Sequence, residues 1–411
     1  MGRAVTNWAG NVTYSTGRVL RPRSVAEAQE VIAAADSLRP LGTRHSFSLV
    51  ADSNSAFLST EHLNRIVEIG SETVTVEAGI RYGELAAVLS DHGVALPNFA
   101  SLPHISVGGA VATATHGSGA SNQSLAAGVT ALELIDADGA IRRFGRGDPD
   151  FAGAVVNLGA LGLVTRLSLD VVPAFELRQY VFEHLPWSAV ESDLDAILGG
   201  GYSVSLFTTW DEPAIGTVWI KIKDDLGPES YFGASPATEP RNPVPGAHAD
   251  NATEQLGVSG PSFDRLPHFR LGFTPSSGDE LQSEYFVPRH HGVAALAELR
   301  QLSSVVAPLL HVSEIRSIAA DNLWLSPFYH QDSLAFHFTW RPWSSEVLAV
   351  LPKIERALAP FGARPHWAKL FVDSPQTRYP KLPEFRRLAR ELDGGGMFRN
   401  DFLRSYVLGD E

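Results

Sequence analysis

The segment PLGTRHSFS, residues 40–48, joins a helix-like stretch to a polar loop and places His45 directly after a Pro–Leu–Gly–Thr turn. Proline and glycine this close together are typical of a tight turn. Such a loop is either an exposed polar turn or a wall against which a ligand binds and which His45 contacts. The rest of the sequence decides between these two interpretations.

Short helix and strand patterns alternate on both sides of this loop, up to Pro173. Ser24 and Glu27 form a capping box at the start of a helix, and apolar residues recur at helical spacing after them. Mixed short elements of this kind favour an α+β domain over a regular βαβ repeat. The other predicted elements are a strand at 73–79, a helix at 81–93, a hairpin at 129–144 and a strand at 162–172.

The composition changes in the second half of the chain, where aromatic residues become frequent in strand-like segments. Amphipathic helix patterns at 291–310 and 346–361 separate these strands, so we expect a sheet with helices on one face. We therefore place one domain at 1–174, a second at 175–375 and a C-terminal segment at 376–411. The strand-like segments are YSVSLFTTW (202–210), TVWIKIK (217–223), SEYFVPR (283–289), LAFHFTW (334–340) and HWAKLF (366–371).

Length and composition exclude several classes of protein. A chain of 411 residues is long for one hydrophobic core, so two domains are expected. The formal net charge of −13 argues against a nucleic-acid-binding face and against a polybasic membrane surface. The absence of cysteine excludes disulfides, thiolate nucleophiles and iron–sulfur clusters. We find no signal-peptide pattern and no apolar run of about 18 residues, and expect a cytoplasmic protein.

Residues 101–124, SLPHISVGGAVATATHGSGASNQS, form the richest stretch of small residues. Glycines let a backbone approach a ligand closely, and backbone N–H groups with hydroxyls can hold a pyrophosphate. The alternative is a Gly/Ala helix packed tightly against a sheet. The stretch matches neither a Rossmann GxGxxG nor a Walker A loop. The chain also lacks the GxSxG motif of serine hydrolases and the HExxH motif of zinc enzymes, and we expect no metal centre.

Three late segments bring polar side chains onto aromatic strand patterns. Residues two apart on a strand share one face, so the pairs at 314 and 316 and at 337 and 339 each point the same way, and His366 and Lys369 stand close together in the third segment. Together they form either a polar floor for a hydroxyl-rich ligand or a set of ion pairs on exposed strands. The side chains are Glu314 and Arg316 in SEIRSIAAD, His337 and Thr339 in HFTW, and His366 and Lys369 in RPHWAKL.

Six motifs follow one another along the chain: LGTRHSFS (41–48), LPNFASLPHISVGGAVATATHGSG (96–119), GALGLVTRLSLD (159–170), SEIRSIAAD (313–321), HFTW (337–340) and RPHWAK (364–369). In this order they resemble the alditol oxidases, a family of the vanillyl-alcohol-oxidase-like flavoprotein superfamily. The similarity extends over nearly the whole chain. It implies a two-lobed FAD-binding domain of the vanillyl-alcohol-oxidase and p-cresol-methylhydroxylase type. It also implies a cap domain that forms the substrate site, and a C-terminal segment that returns to the FAD domain.

The resemblance implies a set of FAD-binding residues. The loop from Pro40 to Ser46 would wrap the pyrophosphate, and His45 would carry the flavin covalently. A histidyl attachment is consistent with a chain that has no cysteine. Relatives often have glycine where this chain has Arg44, whose side chain either pairs with a phosphate or points to solvent. The implied FAD-binding residues are Pro40, Leu41, Gly42, Thr43, Arg44, His45, Ser46, Ser106, Gly109, Thr113, Ala114, Thr115, His116, Val164 and His366.

The resemblance also implies the reaction: oxidation of the terminal primary hydroxyl of alditols such as xylitol and sorbitol, with reduction of dioxygen to hydrogen peroxide. A neutral His337 would accept the alcohol proton, and the cation of Lys369 would stabilise developing negative charge. A site that pairs several hydroxyls would reject simple alcohols. The implied polyol-binding residues are Ser101, Glu314, Arg316, Thr339 and Lys369, and the implied catalytic pair is His337 and Lys369.

Three other functions remain open at this point. An aldonolactone oxidase would share the flavin domain and the histidyl link. A flavin dehydrogenase would pass its electrons to a protein or a quinone instead of dioxygen, and a non-enzymatic sugar-binding module would contain no flavin. For the favoured function we expect a monomer with a small polyol and dioxygen as partners, and neither a nucleic acid nor a membrane.

Overall fold

The computed structural model describes residues 4–223, 226–273 and 280–409 of the chain. In its first half, short strands form a parallel three-stranded sheet in the order β1-β3-β2, and an antiparallel five-stranded sheet in the order β4-β5-β9-β7-β8. The strands are β1 Val19–Leu20, β2 Arg39–Leu41, β3 Phe57–Ser59, β4 Ile66–Ile69, β5 Thr73–Glu77, β6 Val94–Ala95, β7 Val129–Ile135, β8 Ile141–Gly145, β9 Leu163–Asp170 and β10 Val172–Pro173. The helices are α1 Val25–Ala33, α2 Tyr82–Asp91, α3 Val107–Ala112 and α4 Phe151–Val155.

Local signals explain these elements. The Ser24 hydroxyl accepts a hydrogen bond from the backbone N–H of Glu27 at 3.1 Å, as the capping pattern predicted for α1. Strand β9 buries every second residue, which fits its alternating sequence. Gly139 adopts a φ of +78° between β7 and β8, a conformation that glycine reaches without strain. The predicted helix at 81–93, hairpin and two strands are therefore confirmed, and so is the α+β class.

The second half contains one nine-stranded sheet, ordered β14-β11-β13-β12-β17-β18-β16-β19, with β15 paired to β11. Its strands are β11 Glu176–Pro186, β12 Ser203–Thr208, β13 Ala214–Lys223, β14 Ser235–Pro236, β15 Ser259–Pro261, β16 Leu281–Pro288, β17 Leu310–Ile318, β18 Ser333–Trp340 and β19 Arg364–Pro365. Its helices are α5 Trp187–Gly199, α6 Gly292–Gln301, α7 Ser303–Val306 and α8 Ser344–Leu358.

The two faces of this large sheet differ in chemistry. On one face, Ile220, Ile315 and Phe336 pack with residues of α5, α6 and α8 into an apolar core. Alternation turns the intervening residues to the opposite face, where Glu314, His337 and Glu284 lie directly opposite one another on β17, β18 and β16. The sheet with helices on one face is thus as the sequence predicted, and its other face carries the polar row.

The C-terminal helices α9, Leu382–Leu392, and α10, Asp401–Leu403, pack with the first half of the chain. Phe385 and Leu403 lie in the same apolar core as Val74 and Leu85. The buried guanidinium of Arg39 extends this connection, because it donates to the backbone oxygens of Phe398 at 2.5 Å and of Leu158 at 2.8 Å. The domain boundaries at 174 and 375 stay predictions.

One predicted strand is wrong. Residues 366–371, HWAKLF, form a turn after the two-residue β19. The N–H of His366 donates to Glu284 O, and the N–H of Leu370 donates to Gln282 O, each at 2.9 Å. These two bonds are two residues apart on β16 but four residues apart on the facing chain. The facing chain therefore bulges, and the bulge places Lys369 toward the polar face.

Among the residues that the structure describes, no helix has the length and apolar composition needed to cross a membrane.

Candidate active site

The loop that follows β2 is held by the N-terminal residues. Arg44 adopts a φ of +65°, a left-handed conformation that favours glycine, and its carbonyl accepts from the N–H of Trp8 at 2.8 Å. Asn7 donates to Ser46 O at 2.9 Å. The Arg44 side chain is exposed and donates to Thr6 O at 3.1 Å, and its pairing with a phosphate stays a prediction.

These contacts fix the position of His45. The indole of Trp8 stacks on its imidazole, with ring centroids 5.2 Å apart. Burial and the neighbouring His104 and Arg81 lower the pKa of His45 to about 4, so the ring is neutral at neutral pH. Its Nδ1 is buried and has no hydrogen-bond partner among the described residues. A neutral, unpaired and immobilised imidazole nitrogen is a suitable attachment atom for a ligand.

The small residues near the start of α3 pack against this loop. The N–H of Ser106 donates to Thr43 Oγ1 at 3.1 Å. A Cβ on Gly42 would lie 2.6 Å from Ser106 Oγ, so a side chain there would displace that hydroxyl. Gly42 and Gly109 line one wall of a narrow cavity of about 130 Å³.

Most of the predicted FAD-binding residues line this narrow cavity. It adjoins a larger cavity of about 390 Å³, and His45, Ile105, Thr115 and Ala368 line both. The predicted residues in the narrow cavity are Pro40, Leu41, Gly42, Thr43, Arg44, His45, Ser46, Gly109, Thr113, Thr115 and Val164.

The remaining predicted FAD-binding residues lie elsewhere. His116 and His366 line the larger cavity, whereas Ser106 and Ala114 line neither cavity. Ala114 is fully buried with a φ of +54° and turns the chain after α3, and its contact with FAD stays a prediction. Ser106 Oγ is buried without a hydrogen-bond partner in the described part of the chain, directly beneath Gly42. A glycine-lined slot beside the unpaired Nδ1 of His45 fits an elongated polar cofactor such as FAD.

The larger cavity contains all the predicted substrate and catalytic residues. It lies over the polar face of the nine-stranded sheet. The predicted residues that it brings together are Ser101, Glu314, Arg316, His337, Thr339 and Lys369.

A carboxylate that the sequence analysis missed lies at the centre of the site. Glu284 on β16 is 0% exposed and accepts from Lys369 Nζ at 2.6 Å and from Arg316 Nη2 at 2.9 Å. Burial raises the pKa of Glu284, but Lys369 and Arg316 outweigh that effect and hold the pKa well below its usual range. A glutamate on an otherwise apolar strand, in SEYFVPR, was the available signal.

Glu314 forms a second buried ion pair on the same face. Its Oε2 lies 3.3 Å from Arg316 Nη1, and its Oε1 accepts from His268 Nε2 at 2.9 Å. Arg316 Nη1 also donates to Ser101 Oγ at 3.3 Å. Arg316 therefore lies between two carboxylates, and these compensate the burial that would otherwise lower its pKa.

His337 lies between Glu284 and Glu314 in the row of facing residues. Burial and the nearby Lys369 lower the pKa of His337 to about 3. Its Nε2 is buried and finds no hydrogen-bond partner within the described ranges. His337 is therefore a neutral base with an unused nitrogen, which can accept a hydrogen bond or a proton from a ligand in the cavity.

His116, Glu284 and His366 could in principle hold a metal ion, because one ligand atom from each lies within 4.8 Å of the others. Two cations already contact the Glu284 carboxylate, however, and a divalent ion there would be repelled by both. His116 Nδ1 also bonds to Gly117 O at 2.8 Å. The donor set does not fit a metal, and the absence of a metal centre stays a prediction.

Comparisons with protein families identify two regions of the chain. A family described as an FAD binding domain matches residues 17–145, and one described as D-arabinono-1,4-lactone oxidase matches residues 279–406. The first contains the loop with His45, and the second contains the row of Glu284, Glu314 and His337.

Comparisons with individual proteins extend over the whole chain. An alditol oxidase from Streptomyces sp. is 48% identical, with 100% of both chains aligned. An L-gulono-1,4-lactone dehydrogenase of Mycobacterium tuberculosis is 27% identical over 98% of this chain and 99% of that protein. The crystal structure of a cholesterol oxidase from B. sterolicum superposes with a TM-score of 0.80 at 16% identity, covering 99% of this chain and 97% of the other. The predicted type of flavin-binding fold is confirmed.

Glu284→Gln tests the electrostatic arrangement through stability. The substitution removes one of the two carboxylates that balance the positive charges of Arg316 and Lys369. We therefore expect the free energy of unfolding at pH 7 to fall by about 3–5 kcal/mol. Because the folded-state pKa of Glu284 is depressed, its stabilisation is present above the unfolded pKa of about 4.3 and is lost as pH falls. Urea unfolding of the variant should therefore depend less on pH below about 5.

The matched control for this prediction is Glu355→Gln. Glu355 is also buried in the second half, but its pKa is raised, chiefly by burial, so its replacement should not reduce the loss of stability in acid. Equal acid dependence in wild type and Glu284→Gln would contradict the ionised state assigned to Glu284.

Proposed function

The chain belongs to the alditol oxidase family of FAD-dependent oxidoreductases, and we propose that it oxidises the terminal primary hydroxyl of alditols such as xylitol and sorbitol. The proposed products are the aldose and hydrogen peroxide, so that RCH₂OH and O₂ give RCHO and H₂O₂. We further propose that FAD is attached covalently to His45. Family membership in FAD oxidoreductases argues against the non-enzymatic sugar-binding alternative.

One observation carries this proposal. The larger cavity combines the unpaired Nε2 of His337 with the cation of Lys369 and shares His45 with the narrow slot. A base for the alcohol proton, a cation for developing charge and the proposed flavin attachment thus all line the larger cavity. The bound FAD supplies the hydride acceptor and the reduction of dioxygen to hydrogen peroxide.

His337 takes the proton in this mechanism. An alcohol that loses hydride from carbon must also lose its hydroxyl proton, and the neutral His337 Nε2 can accept it. Glu314 Oε2 lies 3.9 Å from His337 Nδ1 and stabilises the imidazolium that forms. Lys369, held at Glu284, supplies the positive charge that stabilises developing negative charge on the alcohol oxygen.

The remaining polar residues of the cavity suit a chain of hydroxyl groups. Glu314 accepts hydrogen bonds, Arg316 donates them, and the Ser101 and Thr339 hydroxyls do both. A ligand without hydroxyls would displace water from these groups and offer no hydrogen bonds in its place, which favours polyols over simple alcohols. The glycine-lined slot from Gly42 to Ser46 would hold the FAD pyrophosphate through backbone N–H groups.

A substrate panel tests the proposed reaction. The holoenzyme should release peroxide in air with xylitol and sorbitol, and at least about 100-fold less with 1-pentanol, because that alcohol pairs none of the additional polar groups. Peroxide is measured with a peroxidase-coupled dye. L-Gulono-1,4-lactone is the second arm, since the match of residues 279–406 to a lactone oxidase family favours that alternative.

Each outcome of the panel selects one function. Peroxide from the lactone and none from the polyols would establish the lactone oxidase. Reduction of an artificial electron acceptor by polyols without peroxide in air would establish a dehydrogenase. Peroxide from the polyols alone supports the proposal.

His45→Ala tests the covalent attachment. Acid precipitation of the wild type should leave the flavin absorbance in the pellet, whereas the variant should release it into the supernatant because the proposed attachment atom is gone. The matched control is His104→Ala, which removes a neighbouring imidazole that bonds to Leu271 O. Flavin retained in the pellet by His45→Ala would overturn the assignment of His45.

Lys369→Met and His337→Gln test the two catalytic roles. We expect kcat with xylitol to fall at least about 100-fold in each variant, while the flavin spectrum stays unchanged. Lys381→Met is the control, because Lys381 forms an exposed ion pair with Glu384 in the C-terminal segment. Turnover within about twofold of wild type in either cavity variant would remove that residue from the mechanism.

A further inference from the structure

A fully buried lysine lies behind the polar row, in a place that the mechanism above does not use. Lys221 on β13 is 1% exposed, and its ammonium group donates to the backbone oxygens of Leu266 and Pro267. Its third contact is His268 Nδ1, at 3.3 Å. A buried ammonium group is costly to desolvate, so its retention calls for a reason beyond packing.

The contacts of Lys221 determine where the proton of His268 lies. Lys221 donates to Nδ1 of His268, and the Glu314 carboxylate on the other side of the ring has no donor of its own, so Nδ1 acts as an acceptor. The proton of the neutral imidazole therefore lies on Nε2, which donates to Glu314 Oε1 at 2.9 Å. The edges of Phe207 and Trp219 hold the ring, with centroid distances of 5.5 and 5.4 Å.

We propose that Lys221 and His268 are positioning residues that orient the Glu314 carboxylate toward the hydroxyl groups of the substrate. Lys221 sets the tautomer of His268, and His268 occupies Oε1 of Glu314 so that Oε2 stays with Arg316 at 3.3 Å. This inference rests on the proposed function, because it gives Glu314 the role of recognising a polyol hydroxyl.

The electrostatics of the surroundings agree with this arrangement. Burial lowers the pKa of Lys221 to about 7, and Glu314 opposes this effect while Arg316 adds to it. Burial and Lys221 lower the pKa of His268 to about 4, which keeps the ring neutral beside the ammonium group. The negative charge of Glu314 thus favours the charged forms of both Lys221 and Arg316, although of these two side chains only Arg316 contacts it.

The alternative is that Lys221 only anchors the backbone of the loop at 266–268. In that case replacing Lys221 would loosen the loop and lower activity equally, whether or not the Glu314 carboxylate is present. The two roles differ in a double-mutant cycle, because a residue that acts through Glu314 loses its effect once the Glu314 carboxylate is gone.

The experiment measures peroxide release from xylitol by the holoenzymes of wild type, Lys221→Met, Glu314→Gln and the double variant. Lys221→Met should raise KM about 10- to 100-fold, the effect of weakening one charge-assisted hydrogen bond, and lower kcat by a smaller factor, because Glu314 also stabilises the His337 imidazolium. In the Glu314→Gln background the same change should alter kcat/KM by less than about twofold. The matched control is Lys223→Met, two residues along β13, where an exposed ammonium lies over Phe175.

Two results would overturn the proposal: an unchanged KM in Lys221→Met, or an equal loss of kcat/KM in both Glu314 backgrounds.

If Lys221→Met does not yield folded holoenzyme, the pair His268→Gln and His268→Leu replaces it. Glutamine keeps an N–H donor at the place of Nε2 and should keep KM within about threefold, whereas leucine should raise it about tenfold or more. Equal KM values in these two variants would also contradict the proposal.

A measurement without substrate separates this inference from the proposed function. Nitrogen-15 NMR of histidine-labelled wild type should show the His268 tautomer with a protonated Nε2, and Lys221→Met should raise the pKa of His268 because a neighbouring positive charge is removed. A wild type that fails to oxidise polyols while His268 shows this tautomer would overturn the function and leave the positioning of Glu314 supported. The Nδ1-protonated tautomer in wild type would overturn the positioning role itself.

Discussion

The buried carboxylate of Glu284 is the interaction on which the cavity depends. It accepts hydrogen bonds from Arg316 on β17 and from Lys369 in the turn after β19. One anion on β16 thus connects side chains from two other segments of the chain. Without it two cations would lie desolvated beside each other, at a cost of several kcal/mol. With Glu314 as the second anion, two carboxylates compensate two cations that line the larger cavity.

The balance of these charges also explains how His337 stays neutral among charged side chains. His337 faces a glutamate on each neighbouring strand, and both would favour its protonated form. Burial and the cations Lys369 and Arg316 oppose them, and the low pKa of about 3 is the result. The alternation of the sheet makes this possible, because the apolar residues between these polar ones pack against α8 and its neighbours on the opposite face.

The sequence predicted much of the site because the relevant residues stand in local motifs. Glu314 with Arg316, and His337 with Thr339, are spaced two apart on strands, and this spacing placed each pair on one face. Glu284 was missed because its importance depends on register: β16 pairs with β18 so that Glu284 lies opposite His337, and nothing within SEYFVPR specifies that pairing. The turn at 366–371 was misread as a strand for the same reason, since its bulge is set by hydrogen bonds to β16.

Contacts between distant segments were the least predictable. Trp8 stacks on His45 from the N-terminal residues, and Lys221 reaches Glu314 only through His268. The most direct measurement of the whole arrangement is a crystal structure of the holoenzyme with xylitol bound under anaerobic conditions. It should show continuous density from His45 to the flavin, with the terminal hydroxyl of xylitol at His337 Nε2 and Lys369 and its other hydroxyls at Glu314 and Arg316. Xylitol bound outside this cavity, or with its terminal hydroxyl turned away from His337, would contradict the account.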